Sequence, residues 1–194
     1  MRTIRTKVYQ FNELNDDAKE VAINWYREKN RVDLGLFNEG AKEKIEDIGF
    51  LGNVELRYSL SNSQGDGLSF SCDYFDKLNE LFIEVLGQGK EKTINCIINN
   101  CLFKLTGNTG HYCFASTSDI DYYLEDKERE YYRVTHIVRK VCKDLKGIYM
   151  KLCEDLEKDA YIDIEYQLSD DYIAEELIEN EYEFTKSGKR FKFD

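Results

Sequence analysis

The chain has 194 residues, 42% of them apolar and 34% charged, and contains no proline. That length suits one domain able to bury a sizeable core, and the apolar content excludes a disordered chain. A formal charge of -11 excludes ordinary nucleic-acid binding, which needs basic residues to displace counterions from phosphates.

In chain order, Ile4 to Phe11 alternates as a strand does. Asn15 followed by Asp16 and Asp17 is a helix cap with acids in the first turn. Ala18, Val21, Ala22 and Trp25 then recur at helical spacing, with Trp25 read as a core residue. A second helix spans Leu34 to Ile48 and stops near Gly49. Val54 to Leu60 and Leu68 to Phe75 read as two strands around Ser63-Gln64-Gly65-Asp66-Gly67, whose glycines supply the positive-φ positions of a hairpin connection. The loop lacks the lysine of a phosphate-binding loop and the spaced acids of a calcium loop. Ser63, Gln64 and Asp66 remain the candidate contacts for a polar ligand at its tip.

Asp76 to Leu86 and Glu91 to Leu102 carry helical patterns. Phe103 to Leu105 and Tyr112 to Ser118 form a further predicted strand pair, joined through Gly107-Asn-Thr-Gly110 with His111 at the turn. From near Glu125 a long helix is expected. Its apolar seam is Val134, Val138, Val141, Leu145, Ile148, Leu152 and Leu156, suited to packing across the chain's own sheet or to a coiled coil. Tyr161 to Leu168 reads equally as strand or continued helix. Ser169 caps a last helix with Ile173, Leu177 and Ile178 on its apolar side. Tyr182 to Phe193 reads as a hairpin about Ser187-Gly188. The class is α+β, an antiparallel sheet of hairpins packed against several helices, in a single domain. Residues 1–120 form its mixed core and 121–194 the long helix, acidic helix and terminal hairpin.

No apolar run reaches the roughly 20 residues of a bilayer span, and MRTIRTKVYQFNEL lacks a signal-peptide core. A cytoplasmic location follows, with Cys72, Cys96, Cys101, Cys113, Cys142 and Cys153 as reduced thiols, mostly small core residues. They form no C-x-x-C pair, and His111 and His136 add too little for zinc, so no metal or cofactor is expected. The serines of Ser59-LSNSQ lack the nucleophile-elbow pattern, and no nucleophile–base pair is legible, so the chain does not read as an enzyme.

Three stretches, FNELNDDAKEVAINWYRE, the Tyr-Ser…Ser-Gln-Gly-Asp-Gly-x-x-Phe hairpin and SDDYIAEELIENEYEFTKSGKRF, together resemble a widespread set of small phage and prophage proteins. Some of those carry the label of antitoxin of a toxin–antitoxin stability system. Two departures stand out. The relatives' Gly-Phe pair and extra aromatic give way here to Ser59-Leu60-Ser61-Asn62, and a histidine-rich middle strand is reduced to His111. The resemblance implies a phage or mobile-element origin and supplies no reaction.

Charge distribution says more than its total. Glu154 to Glu183 holds thirteen acids against one base, Lys158, so it carries -12 and leaves the remainder near neutral. Ordinary exposed helices interleave acids with bases, and like charges four residues apart repel. Asp159, Asp163, Glu165, Asp170, Asp171, Glu175, Glu176 and Glu179, with Tyr166 and Tyr172 among them, are the candidate partner-binding residues. Carboxylate lines imitate phosphates, and tyrosine supplies contact area at low entropy cost. The leading expectation is a phage-type inhibitor, anti-CRISPR-like, that blocks a basic nucleic-acid-binding surface of a host factor, most concretely a CRISPR effector nuclease. The alternatives are an antitoxin capping a basic toxin, or a sponge for a nucleotide signal held by Arg133, Arg139, Lys140 and Lys143.

Overall fold

In the computed structural model, residues 6–61, 65–106, 113–124 and 131–192 are described. They fall into two compact units. The first combines Met1–Leu34 with Ile162–Asp194, and the second is Gly35–Tyr161. The divisions between them fall at residues 34/35 and 161/162, and the second cuts the longest helix.

In the first unit, strand β1 (Tyr9–Gln10) is shorter than the alternation of Ile4 to Phe11 implies. Residues 1–5 lie outside the described part, and from Phe11 the chain turns into a 3-10 coil over Phe11–Glu13. Gln10 N–H donates to the Glu13 carboxylate at 2.9 Å, which closes that coil and drops the Phe11 ring into the core. Helix α1 (Asp16–Lys29) starts where Asn15 predicts, the Asn15 side chain accepting the Ala18 N–H at 3.2 Å. Ala18 and Ala22 are buried, so backbone approaches backbone closely along this face. Facing them are Ile173, Leu177 and Phe184, all fully buried, and Leu14 and Phe11 complete the cluster. Trp25 is half-buried at its margin, against the rings of Tyr182 and Phe184.

The chain returns at its end through a tight loop. Thr185 N–H donates to Lys189 O at 2.8 Å and Phe191 N–H to Glu183 O at 2.8 Å, giving the expected terminal hairpin. Gly188 is pressed against α1 with a φ of 78°, and a Cβ there would collide with the Ala18 carbonyl oxygen. The flanking strand, Glu183–Phe184, also pairs antiparallel with β1, a long-range pairing that alternation alone does not reveal.

The second unit starts with α2 (Gly35–Ile48). Strand β2 (Phe50–Leu51) pairs with β5 (Tyr74–Phe75), and between them lies the hairpin of β3 (Glu55–Ser59) and β4 (Gly67–Ser71). Helices α3 (Leu78–Leu86) and α4 (Glu91–Asn100) follow. Strand β6 (Cys101–Thr106) pairs over its whole length with β7 (Asp119–Leu124). The expected partner, Tyr112 to Ser118, is thus displaced: Tyr112 lies outside the described residues, Ala115–Thr117 is a 3-10 turn, and the ladder begins only at Asp119, where Asp-Ile-Asp-Tyr-Tyr-Leu alternates better. The turn through Gly107 to Gly110 and His111 lie outside the described residues. The class is α+β with antiparallel strands, arranged among the described residues as four two-stranded pairs.

Helix α5 (Tyr131–Gln167) is followed by α6 (Asp170–Glu179), and the terminal strand Glu183–Phe184 is β8. Tyr161 to Leu168 resolves as helix up to Gln167. The buried seam of α5 in the second unit runs Val138, Val141, Leu145, Tyr149, Cys153, Leu156 and Ala160. Val134, Ile148 and Leu152 are only half-buried, so the seam is rotated from the one the aliphatic residues alone define.

Tyr149 explains the rotation. Its ring is fully buried against Phe50 and Phe70, and its hydroxyl donates to Phe70 O at 2.9 Å while accepting Phe70 N–H at 3.1 Å. Ser118, also buried, lies 2.9 Å away, which fills the remaining capacity of the phenol oxygen. The side chain thus takes the place of a neighbouring strand at Phe70 on β4. Tyr149→Phe leaves the Phe70 N–H and C=O buried without that partner. It is expected to destabilise the second unit by about 3 kcal/mol, read as a lower denaturant midpoint at unchanged slope.

Candidate protein-binding face on the last helix

The candidate residues divide by position and by what already holds them. Asp159 belongs to the second unit, where Lys44 Nζ lies 2.6 Å from its carboxylate. The others belong to the first unit, around the turn from α5 into α6. Ser169 makes that turn: its hydroxyl donates to Tyr166 O at 2.7 Å and accepts Tyr172 N–H at 3.3 Å. Gln167 locks it from outside. Its amide donates to Asp33 O at 2.7 Å and to Asp163 at 3.0 Å, and its carbonyl accepts Asp33 N–H at 3.0 Å.

Arg27, from α1, joins these parts. Its Nε and one terminal nitrogen each donate to Leu168 O at 3.1 Å, the other terminal nitrogen reaches the Asn24 side chain at 2.8 Å, and the fork also pairs with Asp170. A guanidinium at the carboxyl end of α5 satisfies a carbonyl left without a helical partner and opposes the helix dipole there. Asp170 is therefore a structural acid.

Glu176 is also turned inward. It accepts the Tyr26 hydroxyl at 3.3 Å and the Asn180 amide at 3.1 Å. Burial, then the Glu176 carboxylate, push the Tyr26 phenol up to about 12, and the same two causes raise Tyr172. What faces outward on α6 is a stripe of Asp171, Glu175 and Glu179 at four-residue spacing, all exposed. Among the described residues no cation pairs with them. Glu165 is exposed nearby in sequence on α5, and Tyr166, 58% exposed, packs its ring 5.1 Å from that of Tyr172. The stripe is thus narrower than the acid count implies, and it carries a tyrosine pair at the helix turn.

The polar loop of the second unit serves its own hairpin. The Asp66 carboxylate accepts the Ser59 hydroxyl at 2.7 Å, Ser61 N–H at 2.6 Å, the Ser61 hydroxyl at 3.1 Å and the Tyr161 hydroxyl at 3.4 Å. Ser63 and Gln64 lie outside the described residues. The positive φ falls on Gly65 (108°), whereas Gly67 lets Phe114 and the Cys113 backbone approach, at 3.1 and 3.3 Å from the position a Cβ would take.

Cys72 and Cys153 are buried thiols that burial raises to about 11 and about 12, so their thiolates are scarce at neutral pH. Arg139, Lys140 and Lys143 stand exposed on α5, and the Arg133 side chain is not among those described. Among the described residues no three His, Cys, Asp or Glu side chains gather to hold a metal ion, and no helix is long and apolar enough to cross a membrane.

The molecule is thus an α+β protein whose most distinctive surface is an acidic helix face. No protein-family model, no curated protein and no solved structure matches the chain.

Sequence reasoning missed Arg27 and Lys44, because their acids stand 143 and 115 residues away. The Tyr26 shift has a measurable sign. An unfolded phenol titrates near 10, so between about 10 and 12 the unfolded chain loses a proton that the folded one keeps, and stability falls as pH rises through that window. Tyr26→Phe is expected to flatten this part of the alkaline loss, followed by the fluorescence of neighbouring Trp25. An unchanged pH profile contradicts the assignment.

Proposed function

We propose that the protein is a non-enzymatic inhibitor that acts in the cytoplasm, docking the acidic face of α6 on a basic nucleic-acid-binding surface of a host factor. A CRISPR effector nuclease is the concrete target, and guide RNA or target DNA is the competitor. One observation carries this reading: Asp171, Glu175 and Glu179 stand exposed in one line without a pairing cation among the described residues, while Asp170 and Glu176 beside them are bound to Arg27 and Tyr26 of the same chain.

Each step of four residues rises roughly 6 Å along a helix, so the stripe presents carboxylates at short, fixed intervals. Mutual repulsion makes such a line mildly unfavourable in the free protein, and a cationic surface removes that cost on binding. Tyr166 and Tyr172 at the head of the helix add rigid aromatic area of the kind that anchors protein contacts. Association driven in this way is fast and sensitive to salt.

The test separates the stripe from its supports. Asp171→Lys with Glu175→Lys and Glu179→Lys leaves the Arg27–Asp170 and Tyr26–Glu176 contacts in place, so the helix is expected to fold normally. Inhibition of guide-RNA or DNA binding by the effector is expected to fall about tenfold or more, with most of the change in association rate. Inhibition unchanged in this variant, or unchanged by raised salt, sinks the proposal.

A further inference from the structure

A second feature of the first unit has the opposite charge and is independent of the acidic face. Between α1 and the terminal hairpin lies an open cavity of about 550 Å³, lined by Val21, Trp25, Glu28, Lys189, Arg190 and Lys192 among others. That volume is within the roughly 300–1,000 Å³ typical of small-molecule sites. Three cations face one carboxylate there, and none of the three makes an ion pair among the described residues. In a chain of net charge -11, such a local excess of positive charge stands out.

Arg190 is prepared for an anion in two ways. Its guanidinium lies 4.9 Å from the Trp25 ring centroid and 4.0 Å from that of Tyr182, so aromatic rings cover its faces and leave the planar N–H edge as its hydrogen-bonding direction. Its Nε is shielded from solvent and has no hydrogen-bond acceptor among the described residues. A buried donor without an acceptor is unfavourable, and Arg190 lines the cavity, where an oxyanion takes charge-assisted bonds from the terminal nitrogens of its guanidinium. The tight seating of Gly188 on Ala18 fixes the hairpin that carries these side chains. Lys189 and Lys192 are exposed beside Arg190 and supply further charge for a multiply charged group. Val21, 42% exposed, and the half-buried Trp25 offer apolar and planar surface on the same wall.

We infer that this cavity binds a small phosphorylated ligand of the nucleotide class, its phosphates on Lys189, Arg190 and Lys192 and its base against Trp25. Trp25 is the chain's single tryptophan and lines the cavity, so at constant pH its fluorescence reports binding there. The whole chain would be titrated with ATP, with inorganic tripolyphosphate and with adenosine. ATP is expected to change the emission saturably, tripolyphosphate to bind more weakly, and adenosine not to bind. Raised salt should weaken the ATP response. Lys189→Glu with Lys192→Glu replaces exposed side chains only, and is expected to weaken ATP by about tenfold or more at unchanged circular dichroism. No saturable response to ATP at millimolar concentration overturns the inference, as does normal ATP binding by the lysine variant. Tripolyphosphate binding as tightly as ATP, or adenosine binding as well as ATP, overturns the nucleotide assignment.

Discussion

Arg27 ends one helix, fastens the start of the next and ties both to a third. Its guanidinium takes the Leu168 carbonyl and the Asp170 carboxylate together, from a helix laid down at the other end of the sequence. Arginine suits this task because its planar fork holds several donors in fixed relation, which a lysine ammonium does not. With the turn from α5 into α6 held this way, the apolar side of α6 meets Ala18 and Ala22, and the opposite side is left for Asp171, Glu175 and Glu179. The direction of the acidic stripe therefore depends on an ion pair within the chain, and not on acid content alone.

The same logic sorts the remaining acids. Lys44 holds Asp159, Tyr26 and Asn180 hold Glu176, and Gln167 holds Asp163. Exposed pairs of this kind contribute little to stability singly. Their consequence is selective: each one gives a carboxylate a partner within the chain and sharpens what remains unpaired. In the second unit Asp66 does comparable work for the β3–β4 hairpin, drawing the Ser59 and Ser61 hydroxyls onto one carboxylate.

What could be read from the sequence was local. Asn15 and Ser169 are legible as caps because the cap bonds reach only three residues on, to Ala18 and Tyr172. The α2 helix and the β3–β4 hairpin are legible for the same reason. Misplacements came where a distant partner decided. Tyr149 and Cys153 hold the α5 seam because Tyr149 bonds to Phe70, and aliphatic counting passed over both in favour of Ile148 and Leu152. The strand after β6 was placed early because Tyr112 to Ser118 also alternates, while the ladder itself selects Asp119–Leu124. Glu176 and Asp170 read as unpaired acids, since nothing within a helical turn announces Tyr26 or Arg27. The cationic cavity escaped notice likewise: Trp25 and Arg190 become neighbours only in the fold.

The first unit joins the two outermost segments of the chain, Met1–Leu34 and Ile162–Asp194, around one small core. During synthesis α1 emerges from the ribosome long before Ile173, Leu177 and Phe184 exist to cover Ala18 and Ala22, and contacts this remote in sequence form late. Both the stripe on α6 and the cavity at Trp25 consequently form only after α6 and the terminal hairpin have been synthesised. A nascent copy interrupted before α6 and the terminal hairpin presents neither surface, so the order of synthesis makes the two appear late and together.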